Sequence, residues 1–199
     1  CNGAVMRMPL AGGPMQVVAW GFRNPFALAF NRAGRLYVLD NGYDERGSRP
    51  VWGAADLLWA VQDGAWYGWP DYSGHRTLDR AEFKAPGKDT PPLLLDKPPG
   101  HVPEPSAYLP VHSSANGLDF SNHPAFGFEG QAFVAPFGDM APAVGKTLGP
   151  VGFKVVRVDP EKGVIQDFAV NLVSSQGPAS LVGSGGLERP VALRFSPDG

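Results

Sequence analysis

Gly21-Phe22-Arg23-Asn24-Pro25-Phe26-Ala27-Leu28-Ala29-Phe30 returns near the other end of the chain as Gly186-Leu187-Glu188-Arg189-Pro190-Val191-Ala192-Leu193-Arg194-Phe195. Each copy runs into a turn with a glycine, Ala33-Gly34 in one case and Asp198-Gly199 in the other. The similarity extends upstream. Val5-Met6-Arg7-Met8 with Gly12-Gly13 precedes the first copy, and Val155-Val156-Arg157-Val158 with Gly163 precedes the second. A third Leu-x-Phe, in Asn116-Gly117-Leu118-Asp119-Phe120, leads to Gln131-Ala132-Phe133-Val134-Ala135. The three signatures begin at positions 28, 118 and 193, gaps of 90 and 75 residues. Internal recurrence of this kind marks an architecture built from one repeated unit.

Within each unit the apolar residues alternate or run together for a few positions, and Gly, Pro, Asn or Asp separate the runs. That is the pattern of short strands joined by turns. Ala54 to Val61 has the length for two helical turns, but Gly64 and the aromatic crowding behind it favour a strand. Blocks of about four strands that bury their faces on neighbouring blocks define a β-propeller, so the expected fold is all-β and propeller-like. The count gives two full blades and parts of two more, in a single partial domain over residues 1–199. Apolar residues begin almost at once and the chain stops on the turn signal Ser196-Pro197-Asp198-Gly199, so both ends are expected to cut through the repeat. Residues 73–110 are polar and Pro-rich, 138–152 are rich in Gly and Pro, and 172–185 in Ser and Gly. Long excursions on a compact scaffold act as covers or surface loops. No regular structure is expected in them.

Composition narrows the function classes. The 199 residues are 43% apolar, enough for a real core, and 26 Gly with 21 Pro suit a turn-rich β protein. A net charge of −2 argues against a nucleic-acid partner. No apolar run approaches the ~20 residues of a membrane span. Cys1 is the single cysteine, which rules out an intramolecular disulfide and a cysteine metal cage. At first position it fits either a lipidated, processed start or a piece of a longer chain.

The candidate chemistry lies between Gly21 and Gly74. Asp40, Asn41, Asp44, Glu45 and Asp56 offer oxygen ligands, with backbone carbonyls around Gly42. Such donors suit calcium better than zinc, although the spacing is not that of an EF-hand and a solvated acidic turn has the same composition. Arg23 beside Asn24 presents planar donors to a carboxylate or quinone oxygen, or else pairs with a neighbouring sheet. The histidines His75, His101, His112 and His123 all sit in loops without metal-ligand spacing, and His112-Ser113-Ser114 lacks the turn of a hydrolase nucleophile. They read as surface or loop-anchoring residues. Trp66, Tyr67 and Trp69 read as wedges between sheets.

Taken together, Gly21-x-Arg23-Asn24-Pro25-x-x-Leu28-Ala29-Phe30, Leu36-Tyr37-Val38-x-Asp40-Asn41-Gly42, Asp56-Leu57-Leu58 and Tyr67-Gly68-Trp69-Pro70 resemble the glucose/sorbosone dehydrogenase family. Ser113-Ser114-Ala115-Asn116-Gly117-Leu118 and Phe128-x-Gly130-x-Ala132-Phe133-Val134-Ala135 continue the likeness. The resemblance implies a six-bladed propeller and an exported quinoprotein, periplasmic or secreted, that oxidises an aldose or related sugar. Its cofactors would be pyrroloquinoline quinone (PQQ) and calcium, with hydride passing to the quinone. By position, Arg23, Asn24 and Asn41 would contact the quinone and Arg189 would stand for a later arginine of its site. The carbonyls of Gly42 and Tyr43, with Asp56, would hold the calcium. The family's histidine base would precede Cys1. Two other functions fit the same scaffold: a binding propeller without catalysis, and a metal-dependent hydrolase of the lactonase type.

Overall fold

The computed structural model describes residues 3–140, 149–172, 177–183 and 185–198. Two strands open the chain, β1 (Ala4–Arg7) and β2 (Gln16–Trp20), paired antiparallel with a bulge between Val5 and Met6. The first four-stranded sheet follows. It comprises β3 (Pro25–Phe30), β4 (Leu36–Asp40) and β5 (Asp56–Ala60); after the small hairpin β6 (Tyr72–Ser73) and β7 (Arg76–Thr77), β8 (Ala107–Leu109) completes it. The second sheet is β9 (Ala115–Phe120), β10 (Ala132–Pro136), β11 (Val155–Asp159) and β12 (Val164–Ala169). Both are antiparallel meanders with spatial order equal to chain order, β3-β4-β5-β8 and β9-β10-β11-β12. A single turn of helix, α1 (Ala179–Val182), follows the second sheet.

The expected repeat is therefore real. Val5-Met6-Arg7 lies in β1 and Val155-Val156-Arg157-Val158 in β11, the first strand of a terminal antiparallel pair in each case. Leu28 and Leu118 fall in β3 and β9, the leading strands of the two sheets. The third copy, 190–195, forms no regular strand, yet it lies along β9: Phe195 N donates to Asp119 Oδ2 at 2.8 Å, and Gly117 lies against the backbone of Ala192. A side chain at position 117 would collide with that backbone, so only glycine permits the approach.

The strand at Ala54–Val61 is β5, as the aromatic crowding implied. The loop at 73–110 is more ordered than its composition suggested. It contains β6, β7 and a 3₁₀ turn at Ala81–Phe83, and its last residues are β8 itself. Proline density hid a strand that sits at the sheet's edge, where the missing N–H groups cost least. The rest of the loop is held by an ion pair: Arg49 Nη2 meets Asp71 Oδ1 at 2.7 Å, and Asp71 also accepts from the N–H groups of Leu94 and Leu95. Much of 138–152 and part of 172–185 lie outside the described residues; α1 occupies Ala179–Val182 within the latter.

Strand β4 explains how the layers stack. All but its first residue are buried, and alternate side chains enter different cores. Tyr37 and Leu39 face the second sheet, where they join Leu118, Phe120, Val134 and Val156. Val38 faces the β1–β2 pair and joins Val5, Ala19, Phe22 and Trp59. A strand with both faces covered reads as a continuous apolar run rather than an alternation. The first interface closes on the Tyr37 and Phe120 rings, 4.9 Å apart. In the second, Tyr67 is stacked on Phe22 at 4.2 Å and edge-on to Trp59 at 5.0 Å. Trp66 and Tyr67 are thus wedges, whereas Trp69 is 43% exposed and is not.

Because Phe120 is 1% exposed at the seam of the two sheets, Phe120→Ala should cost about 3–5 kcal/mol. Leu172→Ala, at a 96% exposed position, should stay within about 0.5 kcal/mol. Urea denaturation midpoints of the two variants make the comparison.

Candidate functional site

An antiparallel meander puts the starts of its odd strands and the ends of its even strands on one rim. Since β3 packs beside β9, the rim gathers the start of β3, the turn after β4, the start of β5 and the turn before β9. Those four places carry Arg23, residues 40–45, Asp56 and residues 112–116.

Two buried carboxylates build the rim. Asp40, 5% exposed, accepts from the backbone N–H of Asn24 at 2.7 Å and of Arg23 at 3.2 Å. It thereby fixes the approach to β3. Burial pushes its pKa up from 3.8 to about 6 despite those donors, which favour the charged form. Asp56, 3% exposed, accepts from Gly42 N at 2.7 Å through Oδ1, and from Ser113 Oγ at 2.9 Å and Ala115 N at 3.1 Å through Oδ2. Burial raises its pKa too, opposed by the same three hydrogen bonds. Gly42 must be glycine here, because a Cβ would press on the carbonyls of Ala54 and Ala55.

Arg23 spreads over the turn that Asp40 begins. Its Nη1 donates to the Asn41 carbonyl at 3.3 Å, its Nη2 meets Asp44 Oδ2 at 3.0 Å, and its guanidinium lies 5.8 Å from the centre of the Tyr43 ring. Asn41 crosses to the second sheet, where its Nδ2 donates to Asn116 Oδ1 at 3.3 Å. Its own Oδ1 is buried without a donor, and so is the Tyr43 hydroxyl, whose pKa burial drives upward. Arg23, Asn41, Gly42, Tyr43 and Trp69 line a cavity of about 10 Å³, room for roughly one water.

The sequence-predicted residues thus divide. Arg23, Asn41, Gly42 and Tyr43 come together on one turn. Asn24 is exposed at the edge of it and bonds through its backbone, N–H to Asp40 and carbonyl from Asn41 N. Asp56 stands behind the turn and has both oxygens engaged by N–H and O–H donors, so it braces Gly42 rather than offering a free ligand atom. Arg189 lies elsewhere: its Nη1 donates to the Gly138 carbonyl at 2.6 Å and its guanidinium packs on Phe137 and Phe153. Arg23 reaches a carbonyl of its own sheet, whereas Arg189 reaches back to the sheet before it.

His112 carries a contact that chain order concealed. Its side chain is only 10% exposed and its Nε2 lies 2.8 Å from Glu45, 67 residues away. His112 and Ser114 both adopt left-handed backbone, φ 60° and 49°, which few non-glycine residues do. This sharp turn sends Ser113 to Asp56 and His112 to Glu45. Neither contact has a signature in local spacing.

The fold defined by these sheets is the one found in soluble sugar dehydrogenases. No family model matches the chain, and no curated protein sequence matches it significantly. Among solved structures, the holo form of the pyranose dehydrogenase PQQ domain from Coprinopsis cinerea aligns with 93% of this chain at TM-score 0.60 and 21% identity. The calcium structure of the Trichoderma reesei carbohydrate-active enzyme of family AA12 aligns with 96% at TM-score 0.60 and 18% identity. The apo form of the soluble aldose sugar dehydrogenase from Escherichia coli aligns with 92% at TM-score 0.53 and 19% identity. This chain spans 51%, 50% and 42% of those three chains, about half their length. At such identities the likeness establishes the fold.

The Asp40 carboxyl supplies a pH test. With its pKa near 6 when folded and 3.8 otherwise, the folded chain keeps a proton that the unfolded chain has already lost. Its contribution is therefore fully present below about pH 4 and disappears as pH rises through 6. Between pH 7 and pH 5 the linkage amounts to about 1 kcal/mol of gained stability. Urea unfolding at the two pH values should show that gain in the parent and a correspondingly smaller one in Asp40→Asn.

Proposed function

We propose that this chain forms part of a PQQ- and calcium-dependent sugar dehydrogenase of the glucose/sorbosone type, a quinoprotein that oxidises an aldose or related sugar. The observation that carries the reading is the meeting of Arg23 and Asn41, from the β3–β4 sheet, with Asn116 of the next sheet on one rim. All three belong to the motifs that resemble that family. The fold supports it: the matched structures include a holo PQQ domain and a calcium structure of sugar-active enzymes. In this reading the two sheets are complete blades of a larger, six-bladed propeller, flanked by the β1–β2 pair and the 187–196 segment as portions of two more.

The residues fit the cofactors incompletely. Asn41 Oδ1 is a buried acceptor that lacks a donor, the kind of atom that a bound group satisfies. Arg23 has the planar donors for a carboxylate or quinone oxygen, and its side chain is 27% exposed. The small cavity beneath the turn has room for about one water and not for a tricyclic quinone, so the cofactor would lie outside it. Carbonyls of Gly42 and Tyr43 would take calcium, a hard cation that prefers oxygen. Asp56 does not fit as a calcium ligand, and it acts by holding Gly42 in place. Asn24, exposed on the rim, would be available to the quinone, while Arg189 holds Gly138.

The chemistry such cofactors would supply is hydride acceptance by the quinone with polarisation by calcium. What this chain supplies is orientation: Asp40 fixes the backbone of Arg23 and Asn24, and Asp56 fixes the carbonyl turn beside them. The sugar and the electron acceptor would meet the quinone from the open side. Export to the periplasm or beyond the cell belongs to the same proposal, and no described helix is long and apolar enough to cross a membrane.

The test is a dye-reduction assay with aldoses on the intact protein, titrated with PQQ and calcium. Saturable PQQ binding and calcium-dependent dye reduction are expected, with Arg23→Gln weakening PQQ by about tenfold or more. Tight PQQ binding without turnover of any sugar would favour a binding propeller, and no PQQ binding at all would overturn the reading.

A further inference from the structure

Asp44, Glu45 and His112 bring a carboxylate oxygen, a second carboxylate oxygen and an imidazole nitrogen within 4.8 Å of one another. The three come from two sheets: the first two from the loop after β4, the third from the turn before β9. The loop is held in shape by Val51 N donating to the Asp44 carbonyl at 2.9 Å. The turn is held by its left-handed residues and by the Ser113 bond to Asp56. Neither side of the cluster therefore depends on the other for its position.

The bonding inside the cluster is incomplete. Glu45 keeps only 6% of its side chain exposed, and His112 Nε2 lies 2.8 Å from both of its oxygens. A single N–H cannot serve both fully, and Glu45 Oε2 is buried beside the imidazole without a hydrogen bond of its own. A buried carboxylate oxygen that lacks a full complement of donors is unfavourable. The charges are also unbalanced. Arg23 compensates Asp44, but Glu45 has only an imidazole, and the acidic Asp40 and Asp56 stand on the same rim. A cation bound to both Glu45 oxygens, to Asp44 and to the Nε2 lone pair would take the place of the Nε2 proton, give both carboxylate oxygens a partner and offset the excess negative charge.

We propose that Asp44, Glu45 and His112 form a binding site for a divalent transition-metal ion of the zinc type. The donor set decides the metal: imidazole nitrogen beside two carboxylates suits zinc, whereas calcium takes oxygen alone. Ligands about 2.1 Å from a tetrahedral centre lie roughly 3.4 Å apart. Glu45 and His112 are already that close, and Asp44, 52% exposed in its side chain, would exchange its contact with Arg23 for the ion. Three protein ligands leave the fourth position to water. The site joins the β4–β5 loop to the β8–β9 turn, so the ion would lock the rim of one sheet to the rim of the next. It uses the side chains of Asp44, Glu45 and His112 rather than the carbonyls of Gly42 and Tyr43, and it stands or falls without PQQ.

The experiment uses the intact protein stripped of metal and free of PQQ. Titration with Zn²⁺ by calorimetry, and with Co²⁺ followed by its visible absorption, should each show one saturable equivalent. Co²⁺ should give the stronger bands of a four-coordinate site. Groups that merely orient a metal ligand cost about 10–100-fold in affinity when removed, so His112→Gln and Glu45→Gln should each weaken Zn²⁺ by at least that much. Arg32→Gln, on the exposed β3–β4 turn, should leave the affinity unchanged. Folding of each variant is verified by its unfolding transition. Should His112→Gln fail to fold, loss of the Co²⁺ spectrum in Glu45→Gln decides. Absence of a saturable equivalent, or Zn²⁺ affinity indifferent to both ligand substitutions, would overturn the proposal. So would a site that takes Ca²⁺ and rejects Zn²⁺.

Discussion

The carboxylate of Asp56 ties together the turns that form the candidate rim. Its two oxygens take one donor from the turn after β4 and two from the turn before β9. Three elements far apart in sequence are thereby held at one level. The arrangement is unfavourable in isolation, because burial strips a carboxylate of its hydration. It is stable here because three donors replace the lost water, and hydrogen bonds to a charged acceptor are the strong ones. Apolar packing brings the two sheets together, but packing alone tolerates sliding. The hydrogen bonds of Asp56 set the offset between them.

Asp40 has the same role at the preceding strand, and the two acids divide the labour. Asp40 shapes the path into β3, which displays Arg23 and Asn24. Asp56 shapes the turn that displays Asn41, Gly42 and Tyr43. Three buried polar atoms without a partner, Asn41 Oδ1, the Tyr43 hydroxyl and Glu45 Oε2, lie on or beside the turn. Buried polar atoms rarely go unpaired. Their closeness within residues 41–45 marks the turn as a place with unsatisfied binding capacity.

Much of the fold was legible because the strand signal is local. Leu36-Tyr37-Val38-Leu39 reads as a strand buried on both faces, and β4 is one. The recurrence of Val-x-Arg and Leu-x-Phe reports a repeated unit, since each sheet solves the same packing problem with the same residues at the same positions. Strand β8 was missed within a Pro-rich loop, because edge pairing tolerates a composition that a central strand would not. The echo of Arg23 at Arg189 was legible as sequence and misleading as geometry: each arginine grips a carbonyl, but on different sheets.

By itself, then, the sequence determined the all-β repeat, the identity of the apolar runs and the cluster of polar residues from Arg23 to Glu45. Those are properties of neighbours in the chain. Only the tertiary structure decided which polar residues are already satisfied and which remain available. Asp56 looked like a ligand and is a brace; His112 looked like a loop residue and faces Glu45 across two sheets. The reason is that a carboxylate's role depends on the donors that reach it. Those donors arrive from positions 14, 57 and 59 residues away, a distance over which spacing along the chain carries no information about spacing in the fold.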